Sequence, residues 1–311
     1  MRTSPTFRFP FMLTLAAMIT STTIGAGDPT ASEPTKMSVY RVWPGEPPSW
    51  DTPSETERDT TGEDGRVVAG EPVVRLGFVR TPQLHIYRAA PDRETGNVVV
   101  ICPGGGYSIL AWDLEGAEIA KRFQAIGVTA AVLKYRVPTR AAEESWLAPV
   151  QDIQRSVSFI RSGGIDGLEP ARVGVLGFSA GGNAAVRSAT APKRHYEAID
   201  SHDRADMRPD FGILVYPAWL VRDDDPTQLI DGVTVDEQTP PMFFAHARDD
   251  RVSCMSSVTM FSALHRHGIP AALHVFSGGG HGFGARPTRQ EHDHWPRLCE
   301  SWMREQGWLD R

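Results

Sequence analysis

The stretch Arg172-Val173-Gly174-Val175-Leu176-Gly177-Phe178-Ser179-Ala180-Gly181-Gly182-Asn183-Ala184-Ala185-Val186 decides the fold. Its opening, Arg172 to Leu176, is brief and β-branched, as a strand buried on both faces should be. Its end is a good helix opening, so the chain passes from strand to helix within a few residues. Between the two stands Gly-x-Ser-x-Gly. A serine lifted on so sharp a turn needs neighbours without side chains, both to permit a strained backbone and to let another molecule approach. Ser179 then lies at a helix amino terminus, where unpaired N–H groups and the helix dipole favour developing negative charge. The plainer reading is a glycine-rich turn with an incidental serine, and the loops after the neighbouring strands decide between the two.

Outward from this turn, short apolar runs alternate with longer segments of helical period. Val98 to Cys102, Val128 to Leu133, Gly212 to Tyr216, Met242 to Ala245 and Ala272 to Phe276 read as further strands. Val73 to Val79 and Leu84 to Ala89, parted by Thr81-Pro82, read as an antiparallel edge. Helices are expected over Leu114 to Ala125, Leu147 to Arg161, Ala180 to Thr190, Ser256 to His267 and Glu291 to Glu305. In the first of them Ile119, Ala120 and Phe123 form an apolar stripe that can cover a sheet. The alternation predicts an α/β domain, with a mostly parallel central sheet and helices on both faces. No second linker interrupts it, so 71–311 reads as one domain.

The run Val98 to Cys102 leads into Pro103-Gly104-Gly105-Gly106-Tyr107. Consecutive glycines are costly to order. Their use would be a loop whose N–H groups point into a cavity, where Gly105 and Gly106, with the N–H of Ala180, could cradle an oxyanion. Neither a Gly-x-Gly-x-x-Gly dinucleotide loop nor a Walker lysine is present. A base for Ser179 should follow an acid in the order Ser, acid, His. Of the ten histidines, His281 in Gly278-Gly279-Gly280-His281-Gly282-Phe283-Gly284 stands directly beyond the last strand, where a loop could swing an imidazole over the serine. His274 lies inside that strand, and His265 and His267 on a helix. His292 and His294 are two apart and do not share a helical face, so no metal site is expected. The acid belongs after the penultimate strand, where Asp249 and Asp250 both qualify. Counting from His246 favours Asp250, and counting back from Val252 favours Asp249.

The chain has 311 residues, with 32 Lys and Arg against 38 Asp and Glu and a net charge of -6. No basic surface stands out for nucleic acid or anionic lipid. Cys102, Cys254 and Cys299 are too few and scattered for a disulfide framework or a cysteine zinc site, and at most one pair could form. Arg2 and Arg8, an apolar stretch from Phe9 to Ile19 and the small residues Gly25, Ala26 and Gly27 have the layout of a secretory signal peptide over 1–26. The apolar stretch is shorter than the roughly 20 residues a membrane-crossing helix needs. A secreted or periplasmic protein without a stable membrane anchor is therefore expected. Residues 27–70 are rich in Pro, Ser, Thr, Gly and charge, with Val39, Trp43 and Trp50 as anchors, and read as a loosely structured, extended N-terminal arm.

Taken together these motifs resemble the α/β-hydrolase superfamily, specifically secreted bacterial esterases of the acetyl xylan esterase and carbohydrate deacetylase type, over about residues 72–305. The likeness rests on Pro103 to Tyr107, Asp113-Leu114-Glu115-Gly116, Leu133-Lys134-Tyr135-Arg136, Ala148 to Asp152 with Arg155, the Ser179 turn, His246 to Asp250 and Gly279 to Phe283. It implies the α/β-hydrolase fold and a serine esterase that removes acetyl groups from polysaccharide or oligosaccharide, without a cofactor. Ser179 would be the nucleophile, His281 the general base and then acid, Asp250 the orienting carboxylate, and Gly105, Gly106 and Ala180 the oxyanion donors. A small acyl ester or an acetylated carbohydrate would be its partner. Asp113, Glu115, Arg136, Asp152 and Arg155 also match and read as scaffold ion pairs. The family's Asp-x-x-Val-Pro loop is Asp-Asp-Arg-Val-Ser here, with Ser253 for proline. Tyr216 and Trp219 are candidates to stack on a sugar, on a surface drawn from 191–210 and 217–240. The rival readings are a general short-chain carboxylesterase or peptidase-like hydrolase, and a catalytically silent binding module. Nothing in the sequence sets the oligomeric state.

Overall fold

The computed structural model describes residue 1, residues 37–48 and residues 53–309. The expected leader, apart from Met1, and the anchor Trp50 lie outside the described residues. Every other described residue belongs to one compact unit, Pro34–Arg311.

The central sheet holds β1 (Ser38–Arg41), β2 (Gln83–Tyr87), β3 (Asn97–Cys102), β4 (Thr129–Lys134), β5 (Arg172–Phe178), β6 (Gly212–Val215), β7 (Met242–Ala247) and β8 (Ala271–Phe276). Their spatial order is β1-β2-β4-β3-β5-β6-β7-β8. β1 with β2 and β2 with β4 pair antiparallel. Every pairing from β4 onward is parallel.

The helices α1 (Glu118–Ala125), α2 (Leu147–Arg161), α3 (Ser179–Thr190), α4 (Met255–Arg266) and α5 (Trp295–Glu305) cover both faces. The period of two along a strand sorts its side chains between them. Val98, Val100 and Cys102 of β3 join the core under α2, α3 and α4. Val99 and Ile101 join the other core, under α1 and α5, where the expected stripe of Ile119, Ala120 and Phe123 is buried. Each such Val, Ile or Phe contributes about 1.5–3 kcal/mol on full burial, which is why these runs carry no polar break.

The edge of the sheet differs from expectation. Leu84 to Ala89 does supply an antiparallel strand, β2, but Val73 to Val79 is not its partner. Arg75–Gly77 instead pairs with Arg58–Asp59 and Leu110–Ala111 in a small separate sheet. β2 takes β1, which comes from the segment read as a loose arm over 27–70. That reading is corrected for residues 38–43: Val42 and Trp43 are buried, and the Trp43 indole N–H donates to Asp152 at 2.7 Å. One large aromatic with a buried polar partner outweighs the polar composition around it.

The scaffold pairs read from the sequence form for four of the five residues. Arg136 meets Asp152 at 2.9 Å with both side chains fully buried, Arg155 reaches Asp200 at 2.5 Å and Asp203 at 3.0 Å, and Asp113 receives Arg286 at 3.0 Å. All three cysteines are free thiols.

Candidate active site

Ser179 is the first residue of α3, immediately after β5, and its φ is +51°. A left-handed backbone on a residue with a Cβ costs on the order of 1–2 kcal/mol. The surroundings hold it there: α3 starts at once, and the Ala218 N–H donates to the Ser179 carbonyl at 3.0 Å. The flanking glycines make the turn fit. A Cβ on Gly177 would lie 2.5 Å from the Gly181 carbonyl oxygen, and one on Gly181 would lie 2.2 Å from that of Cys102.

The loop after β8 brings His281 to the serine. His281 Nε2 lies 2.8 Å from Ser179 Oγ, and its Nδ1 lies 2.7 Å from Asp250 Oδ2. The two candidate acids part here. Asp249 is exposed and accepts the Gly280 N–H at 2.9 Å, which steadies the histidine loop from outside. Asp250 is turned inward by a tight bend after β7, its N–H donating to Ala247 and its Oδ1 accepting the Val252 N–H at 2.7 Å. Burial pushes the Asp250 carboxyl up, but hydrogen bonds from His246, His281 and the Val252 N–H outweigh it and hold the group well below the ordinary carboxylate range. It is therefore ionised at neutral pH. A carboxylate at Nδ1 makes that nitrogen the donor, which leaves Nε2 of a neutral imidazole to accept the Ser179 hydroxyl.

His246 is fully buried behind the acid, with Nε2 3.3 Å from Asp250 Oδ2 and Nδ1 2.9 Å from Ser257 Oγ. The sequence offers it only as the end of a strand. His292 has a comparable supporting place: its ring stacks on Phe283 at 4.3 Å beneath the loop that carries His281.

β3 runs into the glycine loop. Gly105 and Gly106 border the same cavity as Ser179 and His281, and among the described residues no protein acceptor takes up either N–H. The Ala180 N–H follows Ser179 at the start of α3. The loop is anchored one residue earlier, where the Gly104 N–H donates to Glu115 at 2.7 Å. Glu115 also accepts the Tyr216 hydroxyl at 2.8 Å, and the Tyr216 oxygen accepts the Gly284 N–H at 3.0 Å. One buried carboxyl and one buried phenol thus tie the glycine loop, the end of β6 and the histidine loop together. This corrects the reading of Glu115 as an ion-pair residue: its partners are an amide and a phenol. Burial pushes its carboxyl up, opposed by the bonds from Tyr216 and Gly104.

The cavity over Ser179 has a volume of about 480 Å³. Trp219 borders it and is 39% exposed, with the Arg140 guanidinium 4.3 Å above its ring. Tyr216, the other residue read as a sugar platform, is fully buried with its hydroxyl committed to Glu115. Residues 191–210 do not reach the cavity; Val73, Ile109 and Ala111, from the side of the small sheet, do.

A serine at the β5–α3 turn, an acid after β7 and a histidine after β8, on a sheet of this order, define an α/β-hydrolase. The model of the prolyl oligopeptidase family matches residues 147–306, and the chain belongs to that family. It is 27% identical over 239 residues to an acetylxylan esterase of Xylanibacter ruminicola, covering 69% of this chain and 46% of that protein. It is 31% identical over 232 residues to endo-1,4-beta-xylanase B of Butyrivibrio fibrisolvens, covering 66% of this chain and 35% of that protein. The matched region thus spans less than half the length of either relative. Among solved structures, an acetyl ester-xyloside bifunctional hydrolase from Caldicellulosiruptor lactoaceticus superposes with a TM-score of 0.65 and 26% identity, covering 87% of this chain and 97% of that one.

Proposed function

We propose that the chain is an exported serine esterase that removes acetyl groups from xylan-type polysaccharide or oligosaccharide. The observation that carries the reading is the hydrogen-bonded line from Ser179 through His281 to Asp250, beside a cavity bordered by the free N–H groups of Gly105 and Gly106. Ser179 Oγ attacks the ester carbonyl carbon as its proton passes to His281 Nε2. The charge on the carbonyl oxygen is held by the N–H groups of Gly105, Gly106 and Ala180. The tetrahedral intermediate then expels the sugar oxygen, which takes the proton from Nε2 and leaves an acetyl-serine. Water attacks that ester, giving its proton to the same nitrogen, and acetate departs with the serine restored. Asp250 stays ionised throughout and balances the imidazolium.

The acetyl and xylan parts of the reading are supported by the names of the relatives, and export by the layout of residues 1–26. Acetate release from acetylated xylan, set beside hydrolysis of p-nitrophenyl acetate, butyrate and octanoate, tests them. Acetylated xylan and the acetate ester should be the preferred substrates, and Ser179→Ala should be inert on both while remaining folded. Preference for octanoate with no acetate from the glycan would turn the reading to a general carboxylesterase. The family match favours a second reading, a peptidase, and cleavage of a prolyl p-nitroanilide faster than p-nitrophenyl acetate would establish it.

A further inference from the structure

Three guanidinium groups stand around the mouth of the catalytic cavity, and the acyl-transfer scheme above uses none of them. Arg66, Arg75 and Arg251 all border the cavity that holds Ser179 and His281. They come from three separate parts of the chain: the segment before the Val67–Val68 hairpin strand, the small sheet, and the residue directly after Asp250. Among the described residues, no Asp or Glu carboxylate lies within the 4.0 Å ion-pair distance of any of the three. Some arginines elsewhere do hold acids, as Arg155 holds Asp200, Arg208 holds Asp236 and Arg286 holds Glu118. Three guanidinium groups without a carboxylate partner among the described residues thus share the rim of one cavity, in a chain whose net charge is -6.

Among the described residues, the one carboxyl bordering the cavity does not offset these charges. Glu115 is buried and spoken for by the Gly104 N–H and the Tyr216 hydroxyl, and burial pushes it toward its neutral form. Asp250 lies behind His281 and is engaged by that ring, His246 and Val252. Arg66 donates to the His281 carbonyl with one nitrogen, which leaves the rest of its fork unclaimed. A planar guanidinium offers paired N–H donors that match the oxygens of a carboxylate or a sulfate. A plain acetyl ester on a neutral sugar presents nothing of that kind.

We propose that the ester taken by this site is carried on a glycan with an anionic substituent, a carboxylate or a sulfate, which Arg66, Arg75 and Arg251 hold at the cavity mouth. The proposal rests on the glycan reading above and adds the charge of the substrate to it.

Three acetylated xylo-oligosaccharides of equal length, one neutral, one bearing a single uronic acid and one bearing a single sulfate ester, test it through ratios of kcat/KM. At low ionic strength at least one anionic substrate should be preferred over the neutral one by about three- to tenfold, as expected for exposed charges. The preference should vanish near 1 M salt, where the screening length falls to about 3 Å. It should also shrink toward unity in the Arg75→Gln/Arg251→Gln double variant. The anion that gains more identifies the substituent. Equal rates on all three substrates in the wild type would overturn the proposal without touching the esterase reading. So would a preference that salt and the double variant leave intact, or a loss in the variant shared equally by the neutral substrate, which would mean the arginines serve the reaction in general. Hydrolysis of p-nitrophenyl acetate with no acetate from any glycan would instead remove the glycan reading, and this proposal with it.

Discussion

Replacing Tyr216 by Phe keeps the ring that packs against His281, at 4.9 Å between centroids, and deletes only the hydroxyl. That oxygen donates to Glu115 at 2.8 Å and accepts the Gly284 N–H at 3.0 Å, all three groups being buried. A buried donor stripped of its acceptor costs about 1–3 kcal/mol. For a domain of this size that corresponds to a fall in melting midpoint of about 2–12 °C, at about 2–4 °C for each kcal/mol. The hydroxyl also links the glycine loop to the histidine loop, so turnover should suffer mainly in kcat. A drop of roughly tenfold is expected, below the 10²–10³ that loss of a whole oxyanion donor costs. Thermal unfolding by circular dichroism and p-nitrophenyl acetate kinetics read the two effects. A cycle with Glu115→Gln should give a coupling of about 0.5–3 kcal/mol, because both residues serve one network. A Tyr216→Phe protein that melts with the wild type and turns over at its rate would refute the claim that this pair holds the two loops.

Asp250→Asn should lower kcat by about 10⁴-fold by fixing the wrong imidazole tautomer, whereas Asp249→Asn, which removes an exposed charge but keeps an oxygen to accept the Gly280 N–H, should cost far less. Asp250 also has a pH signature. Its folded pKa lies below the ordinary 3.8, so its stabilisation is present above that value and is lost as pH falls through the folded one. Urea unfolding between neutral pH and pH about 2 should show a steeper acid loss in the wild type than in Asp250→Asn. Gly181→Ala would force a Cβ to 2.2 Å from the Cys102 carbonyl oxygen and should leave little soluble, folded protein on expression. Trp43→Ala should cost about 3–5 kcal/mol in chemical denaturation if β1 and the residues after it belong to the core. A cost near zero would return that segment to a loose arm.

The parallel part of the sheet is legible in the sequence because strands buried on both faces must be unbroken apolar runs, and the helix over 147–161 matches its expected ends. The meeting of Ser179 with His281 follows from which strands their loops succeed. β1 is not legible: Ser38, Val39, Tyr40 and Arg41 alternate between half-buried and exposed at an edge, with no apolar run to mark them. The choice between Asp249 and Asp250 depends on a bend of a few residues, and counting from either flank gives a different answer. Glu115 escapes for another reason. Its phenol partner lies 101 positions away, and a hydrogen bond between distant polar residues leaves no periodic trace in either segment.

The central claim is that Ser179 becomes acylated because His281 and Asp250 make it nucleophilic. Tandem mass spectrometry after treatment with a fluorophosphonate probe tests it most directly. A single adduct on Ser179, lost in His281→Ala and much slowed in Asp250→Asn, is the expected result. An unmodified Ser179 in folded wild-type protein, or an adduct formed equally fast without His281, would contradict it.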